Sequence, residues 1–429
     1  MEKKHIYVIS MDEHNRRELN AVLNPKLYEY HSVFDHSVIK NNEKLDIVEL
    51  VENAEKELRK SEYPIDGIIG FWDFPISLVA PYLSAQFGLP GPSIESVLRA
   101  EHKYWSRHAQ QQSIPEMVPE FHPVNVNSPQ DYKNIPLSLP FWIKPCIAHS
   151  SQMAMEIHSE DEYIQAVQGM KERLGKFGEP YNRFLDLVKA EGDLREIDGC
   201  WAIAEKPIAT GEQCTLSGFI YNDDITIYGL VDSINYEQAP SFFRYEYPSQ
   251  LPYAAFKRME DAAIKVITQL GLNNTAFNIE FFVDWEENRI WLLEINTRIS
   301  QSHTHLYSQV DGESNHQIII DISTGIPPRI KKGNGPFKVA AKIHLRKFED
   351  GYIEEVPSEK ECKEVAQNYP GTDLVPEIEK GKNLSDYPDQ DAYSYLLGAL
   401  YTAANSRNEL LQKYRQICDS VNFRFSEPK

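Results

Sequence analysis

Two apolar runs separated by a short polar turn constrain this chain more than any other feature. They are Ala276 to Val283, which contains Phe277-Asn278-Ile279-Glu280-Phe281-Phe282, and Arg289 to Ile295, which leads into Leu293-Glu294-Ile295-Asn296-Thr297-Arg298. Their length, composition and the turn Asp284 to Asn288 predict an antiparallel hairpin. Each strand carries an acid among residues that must face a core, an expensive place for a charge unless something pairs with it. Strand side chains alternate, so Glu294 and Asn296 share a face, and pairing adds Glu280 to the same patch. Two carboxylates and an amide oxygen are hard donors suited to Mg²⁺, which takes its remaining ligands from water and nucleotide phosphates. On spacing alone the same residues also fit a hairpin whose acids are solvated, with Arg298 as a salt-bridge partner.

The hairpin lies within a chain of 429 residues, enough for roughly two to four packed units. His5 to Ser10, Tyr28 to Phe34 and Asp66 to Phe71 read as buried strands. They alternate with helical patterns at Glu13 to Leu23, Lys44 to Lys60 and after Pro75, which predicts a doubly wound α/β domain. A helical pattern then runs from Ser93 to Gln112. Pro140 to Pro145 and Met153 to Ile157 suggest a small separate sheet, followed by a helix from Glu160 to Leu174. Trp201 to Pro207, Leu216 to Tyr221 and Ile225 to Ser233 are further strands, and Ala254 to Leu270 is helical. After the linker Lys331 to Pro336 come a strand, Phe337 to Leu345, and two closing helices, Gln390 to Arg407 and Glu409 to Ser420.

Lys plus Arg number 44 against 64 Asp plus Glu, a net charge of −20, which opposes binding to nucleic acid or anionic membranes. Five scattered cysteines without a C-x-x-C pair, and a first segment lacking a signal peptide's long apolar core, make a reducing cytoplasm the expected location. No stretch approaches the ~20 apolar residues of a membrane span.

Glu280 followed by Glu294-x-Asn296-x-Arg298 resembles the metal-binding signature of the ATP-grasp superfamily, and other residues fall into that family's order. Lys103 in Glu101-His102-Lys103 resembles the first nucleotide lysine, and Lys144 in Ile143-Lys144-Pro145 the strand lysine that contacts ATP phosphates. Ala204-Glu205-Lys206-Pro207-Ile208 resembles the hinge that holds adenine, and Glu212 the ribose acid. The resemblance implies an ATP-grasp fold, α/β with an α+β lid. Its expected parts are an N-terminal α/β domain over 1–102, a lid region over 103–208, a central antiparallel-sheet domain over 209–330 and a C-terminal extension over 331–429 packed on it. It also implies ATP with Mg²⁺, for which Mn²⁺ would substitute, and small-molecule carboxylate and amine substrates; a homodimer is compatible with it.

Two departures bear on mechanism. The lid loop, glycine-rich in the family, here reads Cys146 to Gln152 without glycine, so Ser150 and Ser151 stand as the candidates for phosphate contact. No P-loop motif is present. The stretch Glu294 to Ile299 is close to the biotin-carboxylase-like branch, but the position of that enzyme's bicarbonate-deprotonating glutamate is Ser302. Carboxylation of biotin is therefore disfavoured, and the expected activity is an ATP-dependent carboxylate–amine ligase working through an acyl phosphate. A kinase or carboxylase-like enzyme of this superfamily and a non-catalytic ATP-binding sensor are the rivals. Arg298 and Lys144 are the expected catalytic groups. His303 and His305 either line the substrate pocket or are ordinary loop histidines. Arg244, in Phe242-Phe243-Arg244-Tyr245, either holds a second carboxylate or belongs to loop packing. Gly70-Phe71-Trp72-Asp73, at a strand-to-helix junction where α/β domains bind ligands, either contributes to a site or is ordinary core.

Overall fold

Alternation within one strand sets the N-terminal layer. In β1 (Lys4–Val8), Ile6 and Val8 face one side and Tyr7 the other, and all three are buried. Such a strand needs cover on both faces, as parallel strands do. β2 (Tyr28–Ser32) and β3 (Gly67–Ile69) flank it in parallel in the order β2-β1-β3. One face packs on Leu19 of helix Glu13–Asn20 and on Ile318 and Ile322 of helix His316–Ser323. The other packs on Leu50 and Val51 of helix Ile47–Arg59 and Val79 and Leu83 of helix Ile76–Gln86. The computed structural model describes residues 2–40, 45–148, 153–208, 211–387, 390 and 393–429.

A small antiparallel sheet follows, built from β4 (Phe121–Val124), β5 (Phe141–Pro145), β6 (Met155–Ile157) and β7 (Ala202–Glu205) in the order β4-β7-β5-β6. Phe141, Ile143, Ala202 and Ala204 bury one face against Tyr163, Val167 and Met170 of helix Glu160–Arg173. Period two then turns Trp142 and Lys144 to the opposite face.

The large sheet has eight strands. β8 (Glu212–Tyr221), β9 (Asp224–Tyr236), β10 (Ala239–Tyr247), β11 (Thr275–Asp284), β12 (Arg289–Asn296), β13 (Val339–Lys347), β15 (Asp373–Pro376) and β16 (Tyr395–Ala404) pair antiparallel in the order β12-β11-β8-β9-β10-β13-β16-β15. β14 (Tyr352–Glu355) and β17 (Arg424–Ser426) form a separate pair. On one face Cys214, Leu216, Phe277, Ile279 and Phe281 pack under helix Tyr253–Leu270. Farther along, Ala341, Ile343 and Leu400 pack with Leu410 and Ile417 of helix Arg407–Ser420.

Three expectations are corrected. Gln390 to Arg407 is not a helix: β16 occupies most of it, and the helix starts at Arg407 after its N-cap Ser406. β16 carries apolar side chains on both of its faces and pairs with β13 and β15, so its period carries no clear signal. The pattern from Ser93 to Gln112 is two helices, Ile94–Glu101 and Lys103–Ser113, broken at His102, whose extended backbone and ring cap the second. Phe242 to Tyr245 is not a loop but part of β10.

Candidate active site

Cross-strand register brings the hairpin acids together. Glu280 of β11 stands directly opposite Glu294 of β12, and Asn278 opposite Asn296. A register shift after Glu280 breaks the regular ladder there, as bulges beside functional sites do. Burial pushes the Glu280 carboxyl up to about 7, helped by Glu294 and opposed by Arg298 and by a hydrogen bond from Gln213 Nε2 at 3.1 Å. Lys103 Nζ lies 3.5 Å from Glu294. Asn296 Nδ2 donates to Asn278 Oδ1 at 3.1 Å, and Asn278 Nδ2 donates to the Arg298 carbonyl at 2.9 Å. These bonds fix the Asn296 amide by its nitrogen and leave its oxygen, an acceptor, for other use. Two facing carboxylates, one of them resisting ionisation in the absence of a counter-charge, and a nitrogen-tethered amide are a donor set that fits a hard divalent cation. Among the described residues no group of three His, Cys, Asp or Glu side chains is gathered for a metal; the third donor here is an amide.

The break at His102 aims the residues on either side of it. His102 is fully buried, and its Nε2 is 3.0 Å from the Asp198 carbonyl; burial holds its pKa down at about 4. Before it, Glu101 accepts from Thr297 Oγ1 at 2.9 Å, and burial together with Asp73 raises its pKa to about 7. After it, Lys103 donates to the Ala148 carbonyl at 2.5 Å while approaching Glu294. Arg298 donates through Nε to Asp73 Oδ1 at 2.7 Å, with a second nitrogen at 2.5 Å. Gly70-Phe71-Trp72-Asp73 thus places its last side chain against the hairpin's arginine. Glu101 was not singled out from sequence; its signal was its place two residues before Lys103.

The small sheet contributes a buried ion cluster. Glu205 takes Arg107 Nε at 2.6 Å and pairs closely with Lys144. Burial pushes its pKa up, but Arg107 and Lys144 outweigh this and hold the carboxyl at about 2. Arg107 also donates to the Leu292 carbonyl at 2.6 Å, tying this sheet to the hairpin. Lys206 bonds its backbone N–H to the Glu120 carbonyl at 2.9 Å and its ammonium to Ser138, and Ile208 follows, half-buried. Glu212 begins β8 and accepts from the Trp285 indole N–H at 3.0 Å. Gly211 before it lies so close to the Val283 carbonyl that a side chain would collide. Ser150 and Ser151 lie outside the described residues.

Of the four tentative substrate residues, Arg298 stands beside the acids and the other three separate. Arg244 is opposite Ile343 in the ladder, on the sheet face away from the hairpin acids, and donates to the fully buried Glu246 at 2.9 Å. Its role as a carboxylate clamp is therefore withdrawn. His305 bonds the Gly371 carbonyl at 3.2 Å and packs on Tyr401. His303 is buried edge-on to Tyr245, near Arg298, and its Nδ1 has no hydrogen-bond partner among the described residues.

Residues 243–329, which include the acid hairpin, match the family model for the carbamoyl-phosphate synthase L chain, ATP binding domain. No curated protein matches the chain in sequence. Among solved structures, an L-amino acid ligase from Bacillus licheniformis is similar over 100% of both chains, with TM-score 0.69 and 16% identity. A carboxyaminoimidazole ribonucleotide synthase from Aspergillus clavatus, solved with ATP, is similar over 97% of this chain and 98% of its own, with TM-score 0.67 and 13% identity. A biotin carboxylase from Campylobacter jejuni is similar over 99% and 93%, with TM-score 0.60 and 15% identity. At these identities the likeness is one of fold, and it coincides with the acid hairpin and with the sequence match across it: the chain has an ATP-grasp fold.

Proposed function

We propose that this chain is an ATP-dependent ligase that activates a small carboxylate as an acyl phosphate and joins it to an amine. The observation that carries the reading is the facing pair Glu280 and Glu294 with Arg298 emerging two residues beyond Asn296, held by Asp73. In this reading Glu280, Glu294 and the Asn296 oxygen hold Mg²⁺, which when bound neutralises phosphate charge. Lys206, Ile208 and Glu212 contact adenine and ribose. Lys103 and Lys144 face the phosphates, and Ser150 and Ser151 complete that contact from the lid loop.

The carboxylate oxygen attacks the γ-phosphorus. The new O–P bond forms as the bond to the β-phosphate oxygen breaks, and ADP leaves. Charge on the transferring oxygens is met by the fork of Arg298, whose orientation Asp73 fixes. The amine nitrogen then attacks the acyl carbon, the C–O bond to phosphate breaks, and inorganic phosphate departs. The proton lost by the amine goes to Glu101, whose raised pKa suits a base at neutral pH. Phosphate release and mass-detected amide formation, measured over pairs of amino acids with ATP and Mg²⁺, test this. ATP consumption yielding a phosphorylated substrate and no amide would replace the ligase with a kinase.

A further inference from the structure

The sheet face that carries Glu280 continues across the other strands. In register, Glu280 opposes Thr215, and Gln213, two residues along that strand, opposes Ser233. Ser233 opposes Tyr245, Tyr245 opposes Lys342, and Lys342 opposes Tyr401. At Tyr245 this row meets three basic side chains. His303 and His344 both pack edge-on against the ring, with centroids at 5.3 and 5.0 Å. Both imidazoles are more than nine-tenths buried and both leave Nδ1 without a partner among the described residues, but the His344 ring also bonds the Phe243 backbone. Lys342, half-buried, donates to Ser302 Oγ at 3.1 Å and makes no ion pair among the described residues; Glu377 acts on it only from beyond contact distance. From the N-terminal layer His14 faces it, and Arg346 lies farther along the same strand.

A half-buried ammonium without a counter-ion and a buried imidazole nitrogen without a partner among the described residues cost stability unless a ligand satisfies them. Burial holds both histidines neutral, with pKa values down at about 3, so His303 offers Nδ1 as a neutral donor in one tautomer, while the His344 ring already bonds the Phe243 backbone. The group as a whole then carries one positive charge. We propose that Lys342 and His303, beside Tyr245 and His344, form a subsite for the carboxylate of the amine substrate, so that the amine is an α-amino acid or a close relative. One cation with one neutral donor matches a monoanion better than a phosphate dianion. Tyr245 links the subsite to the reacting centre, because its hydroxyl senses Glu280 and Arg298 as well as Arg346. The inference rests on the ligase reading for the identity of the ligand as the amine substrate.

The test is direct binding to the full chain, by thermal shift and calorimetric titration, of the twenty common L-amino acids, their carboxamides, and O-phosphoethanolamine. The expected result is that at least one amino acid binds, its carboxamide binds at least tenfold more weakly, and Lys342→Met removes that discrimination while Lys342→Arg retains part of it. ATP affinity in both variants should stay within about twofold, reporting an intact nucleotide site. Equal binding of acid and carboxamide, discrimination that survives in Lys342→Met, tighter binding of O-phosphoethanolamine, or no amino acid bound would each overturn the subsite. Amino-acid binding that depends on Lys342 without any amide product would retain the subsite and sink the ligase reading instead.

Discussion

Arg298 reaches across 225 residues of sequence to place its guanidinium on Asp73, Nε to Oδ1 at 2.7 Å. The bond joins a residue two positions beyond β12 to the segment that follows β3, so the arginine's direction is set by a second part of the fold. Asp73→Asn keeps the shape but loses the charge. It is expected to lower kcat by tenfold or more with the KM for ATP little changed, because in the proposed mechanism the arginine acts on the transition state. Arg298→Lys keeps a charge but loses the fork and is expected to cost about a hundredfold or more in kcat. Steady-state kinetics with ATP and the amine varied separately would show this, and wild-type kcat in Arg298→Lys would remove the arginine from the mechanism.

Glu280→Gln and Glu294→Gln are each expected to abolish nearly all turnover with the fold retained, since in the proposed function each deletes a donor of the same cation. The pH dependence of metal binding gives an independent check. The Glu280 carboxyl is raised from 4.5 to about 7 in the fold without metal. A raised acid binds its proton in the folded state between these values, so the folded chain loses stability as pH climbs through that window. A cation that needs the ionised form removes this loss. Mg²⁺ should therefore raise the melting temperature more at pH 8 than at pH 5, and an equal shift at both pH values would argue against Glu280 as a ligand.

How much of this was legible beforehand depended on distance along the chain. Glu280, Glu294 and Asn296 could be read because a hairpin and period-two alternation place them, and both are local. Asp73 and Glu101 reach the same arginine and threonine from elements far away in sequence, and nothing local signals that meeting. Arg244 was misplaced because β10 was not recognised: once it is a strand, one step of alternation sends Arg244 to Glu246 and leaves Tyr245 facing the acids. β16 failed for another reason. A strand enclosed by neighbours has no polar face, so its pattern matches a buried helix equally well.

The hinge residues are expected to act on nucleotide affinity. Lys206→Ala and Glu212→Ala should raise the KM for ATP several-fold with a smaller effect on kcat, because adenine and ribose contacts are equal in ground and transition states. An unchanged KM for ATP in both variants would remove the hinge assignment.

Glu205 should behave differently, as a keystone of stability. It stands between Arg107 and Lys144 and is almost wholly buried, so Glu205→Gln leaves two buried cations without their counter-charge. Breaking such a cluster costs about 3–5 kcal/mol. The carboxyl is held at about 2, below its ordinary 4.5, so its contribution is complete above 4.5 and is lost as pH falls through 2. Chemical denaturation should show the variant's deficit at pH 7 shrinking as the pH is lowered. A variant as stable as wild type at pH 7 would mean that the cluster contributes nothing net.

Ser302 separates the ligase from a carboxylase of the same fold. Carboxylation of biotin needs a base to deprotonate bicarbonate before it attacks ATP. The residue at that position is a hydroxyl whose oxygen accepts a hydrogen bond from the Lys342 ammonium at 3.1 Å, which makes it a poorer base still. A carboxylate substrate needs no such base, since it is already ionised at neutral pH. Bicarbonate with biotin is therefore expected to give no ADP above background, whereas a suitable carboxylate with an amine gives ADP, phosphate and amide in equal amounts. Ser302→Glu tests the same point from the other side: a carboxylate there would take the Lys342 ammonium as its counter-ion and lower the affinity for an amino-acid amine without creating biotin-dependent turnover. ADP release that requires both bicarbonate and biotin in the wild-type chain would overturn the ligase reading and leave only the nucleotide and cation sites in place.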